Sequence, residues 1–226
     1  IILVSFPIYW AFVSSIKQPD ELITNTPTLF PKNPTFESYE RIWNLEPTSS
    51  RGNIRSAFMN SAIVSIGTVV VSAVISTLAA YALTILRTPF RHFIFLLIIM
   101  PILIPGISLL IPLYKLVKEL GLMNSYLGLI LIHSTGMLTL GVFLMRNAFM
   151  SIPTSLREVA LLEGSSELRI MFTVMLPLAI PGLLTLMVFA LYGSWNDFIL
   201  AFLFVNTIDM EMLNVFLMKL TFAGSQ

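Results

Sequence analysis

Residues 157–182 read REVALLEGSSELRIMFTVMLPLAIPG, a charged stretch set between two long apolar runs. In the preceding SIPTSLRE (151–158), Ser155 stands where a helix N-cap would, with Glu158 three residues on, the reciprocal pattern of a capping box. A helix is therefore expected from about Leu156. Gly164 can take the left-handed conformation that closes it. Glu163 and Glu167, four apart, would repel mildly along an unbroken helix. A second helix is expected from about Ser165 to Pro177, where the next apolar run begins.

The composition around that stretch fixes the setting. The 226 residues are 56% hydrophobic and 11% charged, with a mean hydropathy of +0.87. Soluble domains carry roughly 25% charged residues, and one soluble core could not hide this much apolar surface. The chain reads as an all-α integral membrane protein. It has no cysteine, which excludes disulfides, thiolate metal sites and thiol nucleophiles. A net charge of +1 points to no nucleic acid and no acidic partner.

Crossing about 30 Å of hydrocarbon takes roughly 20 helical residues. Four apolar runs meet that length: 57–86, 93–114, 126–145 and 178–203. A fifth, IILVSFPIYWAFVSSI (1–16), is short and opens in mid-run without Met, so it reads as the end of a truncated first span. It lacks the basic region and small-residue cleavage site of a signal peptide. Asp209, Glu211 and Lys219 break the final stretch 204–226, which reads as extramembrane. An odd count of spans suggests a further helix beyond Gln226. Crossing parity puts 87–92 and 146–177 on one side, and 17–56, 115–125 and 204 onward on the other. The first side carries Arg87, Arg91, Arg146, Arg157 and Arg169. The second carries Lys17, Lys32, Arg41, Arg51, Arg55, Lys115, Lys118 and Lys219. A positive-inside count leans toward placing the second side in the cytoplasm.

Within the spans, Ala57, Ser61, Ser65, Thr68, Ser72, Ser76 and Ala80 recur at steps of three or four and form one small-residue stripe, as helix contacts in lipid require. PILIPGISLLIP (101–112) predicts a proline-kinked helix facing the protein interior, because freed carbonyls need partners there. His133 and Ser134 are adjacent and point about 100° apart on a helix, so a packed or interfacial histidine is favoured over a base and nucleophile. Asp197 falls about 28 Å along its expected helix, beside Trp195. Two readings of Asp197 stand, an interfacial anchor and a residue facing a solute path. No paired carboxylates, histidine cluster, phosphate-cradling glycine loop or metal-ligand spacing supports an enzyme site.

The helix before Gly164 carries Leu156, Val159, Ala160, Leu161 and Leu162, apolar over most of its circumference. Outside the membrane such a helix should not face water. It either docks in a socket on another protein or lies on its own membrane surface. An interfacial helix usually shows a strongly charged opposite face, and its absence favours the socket.

Glu158, Ala160, Gly164, Leu176 and Pro177 together resemble the EAA motif of membrane subunits of binding-protein-dependent ABC importers, with Val159 where alanine is usual. SIKQPDEL (15–22), LFPKNPTFESYERIW (29–43), PILIPGISLLIPLY (101–114), IPTSLREVALLEG (152–164) and SWNDF (194–198) extend the likeness to the MalG-like carbohydrate permeases over nearly the whole chain. The resemblance implies a six-helix permease subunit in the inner membrane of a prokaryote. It implies a homologous second permease subunit, two cytoplasmic ATP-binding subunits and an extracytoplasmic solute-binding protein. The chain itself would bind no cofactor, with ATP and Mg held by the ATPase subunits. Residues 146–177 would be cytoplasmic, against the charge count. The helix before Gly164 would be the coupling helix, with Glu158, Val159, Ala160, Leu161, Leu162, Gly164, Leu176 and Pro177 as the coupling residues, and alternating access would follow ATP-driven closure. Asn196 and Asp197 are the candidates for the solute path. The expected function is ATP-driven import of a sugar, oligosaccharide or related polyol compound. An ion-gradient-driven secondary transporter is the alternative; it would want midplane charges and internal repeats. An intramembrane hydrolase would need a paired Ser and His.

Overall fold

A computed structural model describes residues 2–23, 27–48, 52–86 and 88–223. The helices are α1 (Ile2–Ser15), α2 (Pro19–Leu22), α3 (Glu37–Trp43), α4 (Ile54–Thr84), α5 (Arg91–Ile99), α6 (Leu110–Glu119) and α7 (Tyr126–Met150). There follow α8 (Thr154–Leu162), α9 (Glu167–Ile170), α10 (Leu176–Leu178), α11 (Ile180–Trp195), α12 (Ile199–Phe204) and α13 (Leu213–Ala223). Among the described residues, α4 and α7 are each long and apolar enough to cross a bilayer unaided.

The core is the mutual packing of α4, α7 and α11. Every member of the small-residue stripe on α4 is buried, as its spacing predicts. Glycines make the approach close. A Cβ on Gly67 would lie 2.4 Å from Ile130 Cδ1, one on Gly141 2.3 Å from Ser76 Oγ, and one on Gly182 2.6 Å from Ala148 Cβ. In lipid no hydrophobic force draws helices together, so this contact area holds the bundle through van der Waals attraction. One apolar cluster, with Tyr81, Phe149, Ile152 and Ile170, sits at the end of α4 near Thr84. A second, with Val64, Leu129, Phe204 and Met212, sits near its beginning.

Several bounds differ from the sequence reading for local reasons. α4 begins at Ile54 rather than 57 because Asn53 Oδ1 accepts the Ser56 N–H at 2.8 Å and caps it. α7 continues to Met150, five residues past the expected end. The run 93–114 is two segments rather than one kinked helix. The axes of Arg91–Leu103 and Gly106–Glu119 differ by 96°. Ile104, ahead of Pro105, is extended at φ −96°, ψ 121°, as a residue before proline prefers. This break faces away from the rest of the described chain, with Leu103 and Ile107 exposed. Around the break Ile104 N donates to Pro101 O and Ser108 N to Pro105 O, both at 3.0 Å, and Thr139 Oγ1 of α7 donates to Ile98 O at 2.9 Å. The run 178–203 is also divided, into α11 and α12, by residues 196–198.

The stretch 204–226, expected to be extramembrane, carries α13 as far as it is described and is fastened to the start of α4. Asn60 Nδ2 donates to Asp209 O at 2.8 Å and to Glu211 O at 3.0 Å. Leu213 N donates to Ser61 Oγ at 2.9 Å.

Gly141→Leu is expected to lower the melting temperature of the detergent-solubilised protein, since overpacking costs about 1–3 kcal/mol. Gly136→Ala on the same helix, where a Cβ meets nothing within 4 Å, should leave it unchanged or slightly raised. Equal melting temperatures for the two variants would show that the close contact at Gly141 is not holding the bundle.

Candidate functional site at the elbow of residues 151–179

After α7 the chain turns sharply at Ile152 and Pro153. Pro153 (φ −59°, ψ 129°) occupies the N-cap of α8, and the helix starts at Thr154. Ser155 lies inside the helix, so the capping box expected of Ser155 and Glu158 does not form. The rigid proline sets the extended entry two residues earlier and supplies no side-chain acceptor. At the other end Gly164 has φ +80° and closes α8. Gly164 N donates to Leu161 O and Ser165 N to Ala160 O, both at 3.0 Å, which is a Schellman motif. A Cβ on Gly164 would meet nothing within 4 Å. Glycine is required here by backbone conformation, not by crowding within the chain.

Ser166 then caps α9 through Arg169 N at 3.4 Å. A widened π turn, Met171–Met175, runs into α10. The ring of Pro177 would clash with a regular carbonyl one turn back, which accounts for the widening. Pro181 cannot donate to Pro177 O, so the helix breaks at Ala179 and restarts with proline in its first turn. The axes of Glu167–Leu178 and Ile180–Trp195 differ by 79°. Leu176 and Pro177 therefore lie at the bend, with Pro177 exposed, and hold its direction.

These turns present α8 with a definite inner and outer face. Ala160 is its buried member, packed in the cluster with Phe149 and Ile170. Leu156, Val159, Leu161 and Leu162 are exposed, Leu162 to 89%, and Glu158 stands exposed among them. The chain thus leaves an apolar ridge with one carboxylate uncovered at the end of the bundle.

Beneath the ridge lies a polar cluster that sequence spacing does not reveal. Glu167 pairs with Arg157 of α8, Arg157 Nε donating to its Oε2 at 3.3 Å. The Tyr81 hydroxyl of α4 donates to the same Oε2 at 3.0 Å. The Tyr81 ring packs edge-on against Phe149 at 5.6 Å. Breaking the helix at Gly164 turns Glu167 away from Glu163 and toward this pair. The Arg157 hydrogen bond, and after it that of Tyr81, hold the Glu167 carboxyl below the usual carboxylate range.

The candidate path residues separate. Asn196 is exposed, and its Nδ2 donates to Tyr192 O of its own helix at 2.9 Å. Asp197 lies beyond the end of α11 rather than within a helix, and its Oδ2 accepts the Ala201 N–H at 3.0 Å, capping α12. The same oxygen is 3.9 Å from His133 Nε2. A void of about 10 Å³ beside the pair is lined by Ser61, His133, Ser194 and Trp195 among others. His133 is packed, as expected, but its neighbour is Asp197, 64 positions away, rather than Ser134.

Residues 72–215 match the family described as binding-protein-dependent transport system inner membrane component. The chain belongs to that family. It is a multi-pass membrane permease of an ATP-driven importer. The inner membrane ABC transporter permease protein YcjP of Escherichia coli is 32% identical over 92% of this chain and 72% of its own length. The sulfoquinovosyl glycerol transport system permease protein SmoH of Agrobacterium fabrum is 32% identical over 93% and 72%. The probable starch degradation products permease AmyC of Thermoanaerobacterium thermosulfurigenes is 34% identical over 92% and 73%. A solved bacterial ABC transporter involved in alginate import shares the fold, with a TM-score of 0.86 and 24% identity over 99% of this chain and 79% of that one.

Because the folded value for Glu167 is depressed, its contribution to the elbow is full above the unfolded carboxylate value. It is lost as pH falls through the folded one. Hydrogen exchange of residues 154–170, corrected for intrinsic rates, is expected to show steady protection near neutrality and a fall below pH of about 4. Glu167→Gln should remove that pH dependence. Protection that stays constant into acid in the parent would show that the cluster does not hold the elbow.

Proposed function

We propose that this chain is the permease subunit of an importer for a sugar, oligosaccharide or related polyol compound, driven through α8 by a separate ATPase. The observation that carries the reading is the uncovered ridge of Leu156, Val159, Leu161 and Leu162 with Glu158. In water such a ridge is unfavourable, and seated in a partner it becomes a docked plug. Glu158 then supplies a charge-assisted contact at its edge. Gly164, Leu176 and Pro177 fix the angle between plug and span, which lets closure of an ATPase pair swing the permease between inward-facing and outward-facing forms.

ATP and Mg belong to that partner pair on this reading, and hydrolysis occurs there. Residues 146–177 are then cytoplasmic in a prokaryotic inner membrane, and the end at which α4 begins and segment 205–212 is attached faces the solute-binding protein. A homologous second permease is supported by the outward-facing break at 100–109. Irregular backbone at membrane depth survives only against protein or a water-filled path. The carbohydrate class rests on relatives such as SmoH and AmyC, whose names specify a sulfoquinovosyl glycerol and starch degradation products.

The test is purification of the tagged full-length protein in mild detergent, with and without Gly164→Val. An ATP-binding subunit should co-purify with the parent. Forcing a branched side chain into the left-handed region costs about 1–2 kcal/mol, so the variant should insert normally, recover less of the subunit and lose uptake of the carbohydrates screened. Recovery of folded parent protein alone would overturn the reading.

A further inference from the structure

The covalent route from α8 to the membrane span is indirect. It passes a left-handed glycine at 164, a π turn at Met171–Met175 and a 79° bend at Ala179. The chain changes direction at each. The Tyr81–Glu167–Arg157 cluster bypasses all three, because one carboxylate joins α8, α9 and α4 directly. The Tyr81 ring is only 4% exposed and already packs on Phe149, so its hydroxyl is not needed for packing. Its hydrogen bond is made to Glu167.

α4 itself is suited to carry load. It is a 31-residue helix without an internal proline, or about 46 Å long. It is locked against α7 at Gly67 with Ile130 and at Gly141 with Ser76. Some 21 residues before Tyr81, or about 30 Å along the axis, Asn60 reaches across to the backbone of Asp209 and Glu211. Tyr126 OH donates to Asn60 Oδ1 at 2.8 Å and fixes the amide. Glu211 is 3% exposed, and its Oε2 accepts the Gly52 N–H at 2.9 Å while Lys219 pairs with its other oxygen. Segment 206–213 is thus fastened to the beginning of α4, and α8 and α9 are fastened to its end.

We propose that α4 is the transmission rod of the permease: Tyr81 and Glu167 tie the docked segment to it, Asn60 ties segment 206–213 to it, and displacement at one end moves the other. Tyr81, Glu167 and Asn60 are positioning residues, acting through α4 and not on solute. The proposal rests on the ATPase-docking reading of α8.

None of these 226 residues is a cysteine that would compete for a spin label, and any cysteines elsewhere in the complex are first replaced by serine. Thr154→Cys reports at α8 and Thr207→Cys reports in the far segment, both exposed. The full-length complex with its co-purified ATP-binding subunits is placed in lipid vesicles, and the probe is a non-hydrolysable ATP analogue with Mg. Both labels should respond in the parent. Tyr81→Phe, which keeps the packing, should cut the Thr207 response about fivefold, the equilibrium weight of one hydrogen bond, while the Thr154 response persists. Asn60→Ala should do the same from the other end, and if it does not assemble, Glu167→Gln serves as the second variant. An unchanged Thr207 response in Tyr81→Phe overturns the proposal. Loss of both responses in that variant also overturns it, by making the hydroxyl part of the docking surface. A parent whose Thr154 label ignores the analogue removes the docking reading itself, and that failure is read at a different label.

Discussion

The close approach of α4 to α7 and α11 is the constraint on which the rest of this structure depends. Burial from water cannot drive helices together inside lipid, so contact area must do so, and contact area requires small residues at the crossing. Gly67, Gly141 and Gly182 face Ile130, Ser76 and Ala148 with no room for a Cβ. The stripe from Ala57 to Ala80 extends that contact along the length of α4. Held this closely, the three helices give fixed attachment points at both ends.

What is attached at the two ends differs in kind. At one end prolines and a left-handed glycine replace packing as the determinants of direction. Pro153, Gly164, Pro177 and Pro181 each remove or redirect a backbone hydrogen bond, and together they lay α8 across the end of the bundle with its apolar side outward. At the other end the backbone of 206–213 is irregular and is satisfied by side chains of α4, chiefly Asn60 and Ser61. The first arrangement leaves surface for a partner, and the second leaves none of the anchoring amide free.

Much of this was legible in the sequence wherever the signal is periodic or conformational. The small-residue stripe repeats at helical spacing, so its burial followed. Gly164 and the prolines carry their backbone preferences with them, so a break at 164 and a turn near 177 followed too. The EAA-like pattern resembles that of the family to which the match over residues 72–215 assigns the chain. Local reading failed where two local signals compete. Ser155 looks like a cap, but Pro153 starts the helix ahead of it. Residues 93–114 are apolar enough for one span, but Pro101 and Pro105 with an extended Ile104 make two segments of it. Asp197 is expected within a helix, but it lies between two helices and caps the second.

By itself the sequence determined that the chain is a helical membrane protein of this permease family, because length, hydropathy, helical period and backbone preference are properties of neighbouring residues. Only the tertiary structure decided which polar groups meet. Tyr81 and Glu167 are 86 positions apart, and Asn60 and Glu211 are 151 apart. His133 and Asp197 are brought within 3.9 Å in the same way. Such pairs depend on the rotation and axial offset of one helix against another, and these are set by side-chain contact at the crossing rather than by any repeat along the chain.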